Sequence, residues 1–440
     1  MKIVHILGWY FPDSVGGTEV YVEALCRRLR DAGHQVIVAA PDSHRAAAHR
    51  YEHDGVTVFR YPVPSAPTRD EAQHRRPVRG AEQLHRFLAE ERPDILHVHS
   101  ITTGVGLPEI REARRLGIRV IVTCHLPGFG FMCRSGELMQ WGRVPCDGVV
   151  RAGKCAACNL TRLGMPQLGA RLVASVPVPA SVALQGLPGR VGTALGMPAS
   201  VREYEAMQRE LFALVDRVVV LNETGRRMLV SNGSSADKIV LNRLGVSQRG
   251  AVTPSTVHRA NGAPVVFGYL GRLHPTKGLT ELMHAVAAIS RDVAFRLEIR
   301  GPVLDDATQR YVDSLQQVAG GDPRVEFAPA VPAADVPALL AGYDALLCPS
   351  MWFENGPTVA LEAIAAATPI IGSRVGNLAE LITDDVNGLL VAPGDIDAWA
   401  HALTRVALSP AETVDRWRYA LTPPRTMDDV ASDYLALYAA

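Results

Sequence analysis

Residues 344–373 read DALLCPSMWFENGPTVALEAIAAATPIIGS, and this stretch decides the fold. The apolar run Ala345–Cys348 reads as a buried strand, 349–356 as a loop, 358–367 as a helix and 369–372 as the next strand. That succession is a βαβ unit, so a parallel sheet is expected. Gly356 and Pro357 fall where the helix begins; proline brings a fixed φ there and lacks only an N–H that would be unpaired anyway. The free N–H groups behind it form an anion site. Glu354 lies in the loop and Glu362 eight positions later in the helix, with Thr358 four residues before Glu362 on the same face. Carboxylates on both edges of an anion-binding helix start suit a ligand with phosphates and flanking hydroxyls, such as a nucleotide sugar. Taken alone, they equally suit two solvated helix-face glutamates.

The chain has 440 residues, 48% hydrophobic and 20% charged, enough for two or three domains with large cores. Lys plus Arg equals Asp plus Glu at 45 each, which argues against a nucleic-acid-binding or strongly membrane-adsorbing protein as a general description, while leaving room for a local patch. The start MKIVHILGWYFPD shows no small-residue cleavage pattern, and no 18-residue apolar span occurs, so a cytoplasmic location is expected. In a reducing compartment, four clustered cysteines out of seven point to metal rather than disulfides.

From the start, strands over 2–7 and 35–40 enclose a loop and a helix over 18–32. Gly16 and Gly17 let backbone approach a ligand at that helix start, or simply make a tight turn. The pattern is not G-x-G-x-x-G, so no nicotinamide cofactor is indicated. The basic run 68–86 reads as a solvated face that could also touch an anionic acceptor. Strands over 94–99 and 118–124 bring His99 and His125 to carboxyl ends, where open α/β sheets bind ligands. His125 is the stronger functional candidate; His97 and His99 read as structural. Cys133, Cys146, Cys155 and Cys158 follow with spacing C-x₁₂-C-x₈-C-x₂-C, which suits a closed, structural Cys₄ zinc site, with unrelated thiols or a redox pair as the alternatives. The Pro- and Gly-broken apolar stretch 165–200 reads as a lid or acceptor-side segment.

A polar linker over 247–264 precedes a second strand–helix alternation. It opens with a strand and GRLHPTKG at 271–278, in which Arg272 and Lys277 flank a βα turn, placed to clamp a diphosphate or to be a common surface pair. Two similar sheets joined by a linker imply an interdomain cleft.

Together, the Gly16–Gly17 pair, GRLHPTKG and ENGPTVALE at 354–362 resemble the GT-B glycosyltransferases, specifically the retaining glycosyltransferase family 4 (group 1). The resemblance is strongest over 265–408 and weaker over 1–125. It implies an α/β GT-B fold of two Rossmann-like domains facing across a cleft. The domains expected are 1–246, carrying the Cys-rich insertion at 133–158, and 265–415, with 416–440 crossing back. By the same resemblance Arg272 and Lys277 hold the donor diphosphate, Glu354 the donor sugar, and Glu362 the ribose. Asn355, Gly356, Pro357 and Thr358 meet sugar and phosphate, Gly16 and Gly17 close on the phosphate, and His125 sits near the reacting sugar. It implies transfer from a nucleotide-diphosphate sugar to a carbohydrate, lipid-linked or small-molecule hydroxyl, with retention and no catalytic metal. A structural zinc and peripheral membrane contact stay open; a nucleic-acid partner is not expected. NRLGVS at 242–247 and TCHLPG at 123–128 depart from the family pattern and leave the acceptor side unassigned. The rival readings are a GT-B epimerase or phosphorylase, and a non-catalytic sugar-binding protein.

Overall fold

The apolar runs become the strands of two sheets in a computed structural model that describes residues 1–14, 16–125, 128, 133, 135–247 and 263–440. The chain divides into two units, Met1–Arg243 with Met427–Ala440, and Leu244–Thr426. The linker expected over 247–264 lies mostly outside the described residues.

The first unit runs β1 (Lys2–Ile6), α1 (Gly17–Asp31), β2 (Gln35–Asp42), β3 (His49–His53), β4 (Val56–Pro62), β5 (Ile95–Val98) and β6 (Arg119–Thr123). A two-stranded ribbon, β7 (Met139–Gln140) and β8 (Val144–Pro145), precedes the helices α2 (Ala152–Arg162), α3 (Gln167–Ala174), α4 (Val178–Leu184), α5 (Gly189–Leu195) and α6 (Met197–Leu214). Strands β9 (Arg217–Val220) and β10 (Ile239–Leu241) complete an eight-stranded sheet of order β10-β9-β6-β5-β1-β2-β4-β3. Its central strands are buried along nearly all their length, which is why they read as mainly apolar runs, broken in β5 only by His97. Only β3 is antiparallel, at the sheet edge. Its sequence HRYEH has no apolar period, so pairing with β4, not pattern, makes it a strand.

The stretch 165–200, expected as a lid or acceptor-side segment, is built of short helices. Pro166, Pro177 and Pro188 occupy the N-cap positions of α3, α4 and α5, so each proline ends one helix and starts the next. No single described helix is long and apolar enough to cross a membrane.

The second unit is a six-stranded, all-parallel sheet: β11 (Val265–Leu270), β12 (Phe295–Arg300), β13 (Val325–Ala328), β14 (Ala345–Cys348), β15 (Ile370–Ser373) and β16 (Gly388–Val391). The order β13-β12-β11-β14-β15-β16 places the strand-order reversal between β11 and β14. Helix α7 (Thr358–Ala365) links β14 to β15, whose register pairs Leu346 with Ile370. Phe267, Leu297, Leu347, Ile371, Trp399 and Trp417 belong to one core of this unit. The last helix, α8 (Met427–Ala439), packs in the first unit against α1, where the Tyr21 and Tyr434 hydroxyls are 3.2 Å apart and Arg28 donates to Asp428 at 2.6 Å.

Candidate functional site

In the second unit, two loops meet at the carboxyl ends of β11 and β14, the switch point where open α/β sheets bind ligands. The Met351 N–H donates to the Thr276 carbonyl at 2.9 Å. Gly278, at φ +74°, packs so tightly that a Cβ would lie 2.0 Å from the Pro349 oxygen, so glycine is required by both conformation and space. That contact brings Lys277 and Glu354, 77 residues apart in sequence, into an ion pair at 2.5 Å. The same Glu354 oxygen, Oε1, accepts from Ser350 Oγ at 2.6 Å and Trp352 Nε1 at 3.1 Å. The Lys277 ammonium also lies 5.8 Å from the Trp352 ring centroid. Glu354 is buried, and its backbone carbonyl accepts the Asn377 N–H at 2.8 Å. Gly376 (φ +50°) makes room, since a Cβ there would stand 2.2 Å from that carbonyl.

Helix α7 begins at Thr358 with Pro357 at its N-cap, one place earlier than an N1 proline, and without a side-chain cap. Its first N–H groups therefore remain available to an anion. Asn355 is buried beside it, and a Cβ on Gly356 would strike Leu244. Glu362 is half-buried, with no ion pair or side-chain hydrogen bond among the described residues, and burial raises its carboxyl above the usual range. Arg272 is exposed; its carbonyl accepts from Tyr269 while its guanidinium has no carboxylate among the described residues. Two cations, an uncapped helix start and a half-buried carboxylate thus share one loop cluster.

In the first unit, Gly16 caps α1 and Gly17 is its first residue; a Cβ on Gly17 would meet nothing within 4 Å. His125 is buried just past β6. Its Nε2 is 3.0 Å from His99 Nδ1, and His99 Nε2 is 2.8 Å from His5 Nδ1, so the rings form a chain. The Tyr21 ring stands edge-on to His125 at 4.7 Å. His97 Nδ1 and Nε2 lie 2.6 and 2.8 Å from Tyr438 Oη and Thr123 Oγ1, tying the sheet to α8. Burial holds all four imidazoles neutral, with His5 and His125 lowered to about 3. Sequence reasoning singled out His125 and missed His5, Ser350 and Trp352. For the last two, a signal existed in their closeness to Glu354; for His5, one histidine in an apolar strand carries none.

A cavity of about 530 Å³ also lies in the first unit, lined among others by Arg69, His74, Arg75, Arg162, Met197 and Tyr204. The basic run 68–86 supplies three of these, yet Arg75 is paired with Asp70 and Glu203, so this is a compensated wall and not a bare cationic face.

The four cysteines gather around the β7–β8 ribbon and the start of α2. Cys158 Sγ accepts the Trp141 N–H at 3.2 Å and Cys155 Sγ the Arg151 N–H at 3.3 Å, while the Cys146 thiol donates to Asp147 Oδ1 at 3.6 Å. Among the described residues, His5, His97 and His99 are the three such ligand groups within 4.8 Å of one another; the cysteine sulfurs do not form such a set.

Two Rossmann-like domains, each with its candidate residues at the carboxyl ends of central parallel strands, define the GT-B class of glycosyltransferases. The pattern described as Glycosyl transferases group 1 matches residues 255–421, and the Glycosyl transferase 4-like domain matches 16–154. The chain belongs to this group 1, family 4 type of glycosyltransferases. It is 33% identical over 221 residues to a D-inositol 3-phosphate glycosyltransferase of Saccharomonospora viridis, covering 46% of this chain and 50% of that protein. It is 32% identical over 160 residues to a 2-deoxystreptamine glucosyltransferase of Streptomyces kanamyceticus, covering 36% of this chain and 40% of that one. The chain thus matches about half the length, or less, of these curated relatives. In fold it is similar to the sucrose-phosphate synthase of Thermosynechococcus elongatus, with TM-score 0.64 and 18% identity over 100% of this chain and 98% of that one. It is similar also to the Anabaena HepE protein solved with UDP, with TM-score 0.62 and 16% identity over 100% of both chains.

Proposed function

We propose that the chain transfers a glycosyl unit from a nucleotide-diphosphate sugar to an acceptor hydroxyl with retention of anomeric configuration. The observation that carries this is the loop cluster of the second unit, where the Lys277–Glu354 pair adjoins the uncapped start of α7 and the unpaired Glu362. In this reading Arg272 and Lys277 take the diphosphate, with the backbone N–H groups of Asn355, Gly356 and Thr358. Glu362 accepts from the ribose hydroxyls, and Glu354 from the donor sugar through its second oxygen.

As the sugar's C1–O bond to the leaving phosphate breaks, negative charge builds on that phosphate. Fixed cations and helix amides lower the barrier where the charge develops. The acceptor oxygen bonds C1 on the same face, and its proton passes to the departing phosphate oxygen. Glu354 fits sugar binding better than covalent attack, because its Oε1 already accepts three hydrogen bonds. His125, neutral and held by His99, serves in this reading as a hydrogen-bonding group near the sugar. Gly16 and Gly17 give the phosphate backbone access at α1.

The test is a thermal-shift panel of UDP, GDP, ADP and dTDP with their common sugars, on the wild type and Arg272→Ala. A nucleotide at a hundred times its Kd stabilises by about 2.7 kcal/mol. One base family should shift the wild type strongly and the variant weakly. Arg272→Ala should also lose about 2–4 kcal/mol of transition-state stabilisation. A silent panel, or a variant keeping more than half the wild-type turnover, removes the assignment.

The cysteine cluster is proposed as a structural zinc site. Its support is the C-x₁₂-C-x₈-C-x₂-C spacing and the backbone N–H groups already aimed at two of the four sulfurs, the pattern that orients thiolate ligands. Zinc at about 2.3 Å from each sulfur would draw the four together. Protein purified without chelator should carry about one equivalent of zinc and melt lower once stripped; metal below a tenth of an equivalent rejects the site.

A further inference from the structure

The helices α3–α5 and the turns that join α2 to α3 and α4 to α5 carry apolar side chains on the outside. Leu163, Leu168, Leu172, Val182, Leu187 and Val191 are all exposed, Leu168 and Leu172 by 77% and 74%. They are six of the seventeen exposed large hydrophobic residues in the described chain, yet they fall within 29 positions, so the exposure is concentrated. On α3 the inner face is made by Ala170 and Ala174, which pack into the small core beside α2. Leu168 and Leu172, four apart, therefore project from the opposite side. Helix α4 is pinned from behind by Ser181, whose hydroxyl donates to the Leu195 carbonyl at 2.7 Å and accepts the Ala199 N–H at 3.1 Å. The apolar faces are thus presented by anchored helices.

Charge on this stretch has one sign. Between Asp147 and Glu203 there is no acidic residue, whereas Arg151, Lys154, Arg162, Arg171, Arg190 and Arg202 all lie there. Four of these pair with acids: Arg151 and Lys154 with Asp147, Arg162 with Glu137, and Arg202 with Glu205. Arg171 and Arg190 have no carboxylate partner among the described residues, and both are exposed. Each sits between two of the apolar residues, in L-x-x-R-L at 168–172 and L-x-x-R-V at 187–191. The helices α3 and α4, bent by 101°, together are as apolar as a spanning stretch, but at eight and seven residues each is only about 12 Å long or less. A hydrocarbon core is about 30 Å thick, so they can lie in its interface and not cross it.

We propose that α3–α5 form a docking face for an anionic lipid bilayer, with the leucines and valines entering the acyl boundary and Arg171 and Arg190 meeting headgroup phosphates. A second copy of the chain is the poorer occupant. A two-fold pairing would set this all-basic segment against itself, with no carboxylate between residues 148 and 202 to answer it.

The test is flotation of the full chain with phosphatidylcholine vesicles and with vesicles containing phosphatidylglycerol, at low and high salt. Binding should favour the anionic vesicles and weaken with salt. Arg171→Gln with Arg190→Gln should lower it about thirtyfold at low salt, from roughly 1 kcal/mol per basic residue. Leu168→Asn with Leu172→Asn should lower it roughly tenfold or more on every anionic vesicle. Both pairs are surface changes, so melting temperature and nucleotide-induced shift should stay at wild-type values. Three results overturn the proposal: no flotation on anionic vesicles, flotation unchanged in the leucine variant, or a lipid-free dimer that the leucine variant dissociates.

Discussion

The Lys277–Glu354 cluster of the second unit and the histidine chain of the first stand on the same ground plan, the carboxyl ends of central parallel strands, yet they treat charge in opposite ways. Around Lys277 the fold keeps ions and matches them: the ammonium, a hydroxyl and an indole N–H converge on one carboxylate oxygen, Glu354 Oε1. Around His125 it removes charge: burial holds four rings neutral, three of them, His5, His99 and His125, bonded ring to ring, and the fourth, His97, bonded to Tyr438 and Thr123. In the proposed reading, the matched ions await a donor diphosphate and the neutral rings await sugar hydroxyls.

The sharpest way to break this contrast is to strand one charge. Lys277→Met leaves Glu354 buried without its cation and should cost on the order of 3 kcal/mol in urea unfolding, most of it recovered by adding Glu354→Gln. A single-variant cost below about 0.5 kcal/mol would show that the pair behaves like a solvated surface bridge.

Acid should act on the other region. The folded-state pKa values of His5 and His125 lie near 3, below the unfolded value of 6.5, so the unfolded chain takes up protons first. Their contribution is complete above about pH 6.5 and is lost as pH falls toward 3, by up to about 1.4 kcal/mol per pH unit for each ring. His5→Phe, which removes one titrating ring, should flatten the fall in unfolding midpoint between pH 6.5 and 5; an unchanged slope would place the acid sensitivity elsewhere.

The smallest effect expected is at Glu362, whose half-buried carboxylate has no ion pair or side-chain hydrogen bond among the described residues. Glu362→Gln removes the desolvation cost and should raise the ligand-free stability slightly, by well under about 1 kcal/mol, while reducing the nucleotide-induced shift. A variant that melts lower and binds nucleotide as before would reassign this residue to structure.

The βαβ unit over 344–373 was legible because both its strands are buried on two faces and its helix start is marked by Gly356–Pro357. GRLHPTKG and ENGPTVALE were legible for a related reason, since each is one continuous stretch, a turn or a loop running into a helix, whose candidate groups lie within nine residues. Strand β3 was not legible, because an edge strand takes its conformation from its neighbour's backbone and carries no period of its own. Nor were the helices α3–α5, where leucine-rich pieces between prolines fit irregular chain and short helices equally well.

What the sequence alone determined was therefore local: the parallel strand–helix alternation, the family motifs, and the one-signed charge between Asp147 and Glu203. Tertiary structure alone decided which distant residues share an environment. Lys277 and Glu354 meet because β11 and β14 are sheet neighbours. His5, His99 and His125 meet because β1, β5 and β6 lie side by side. In the same way Tyr434 and Tyr438 reach the first sheet because the last helix packs on α1. Hydrophobic period fixes which face of a strand is buried, but it holds no record of which strand lies beside it, and chemistry between strands depends on that adjacency.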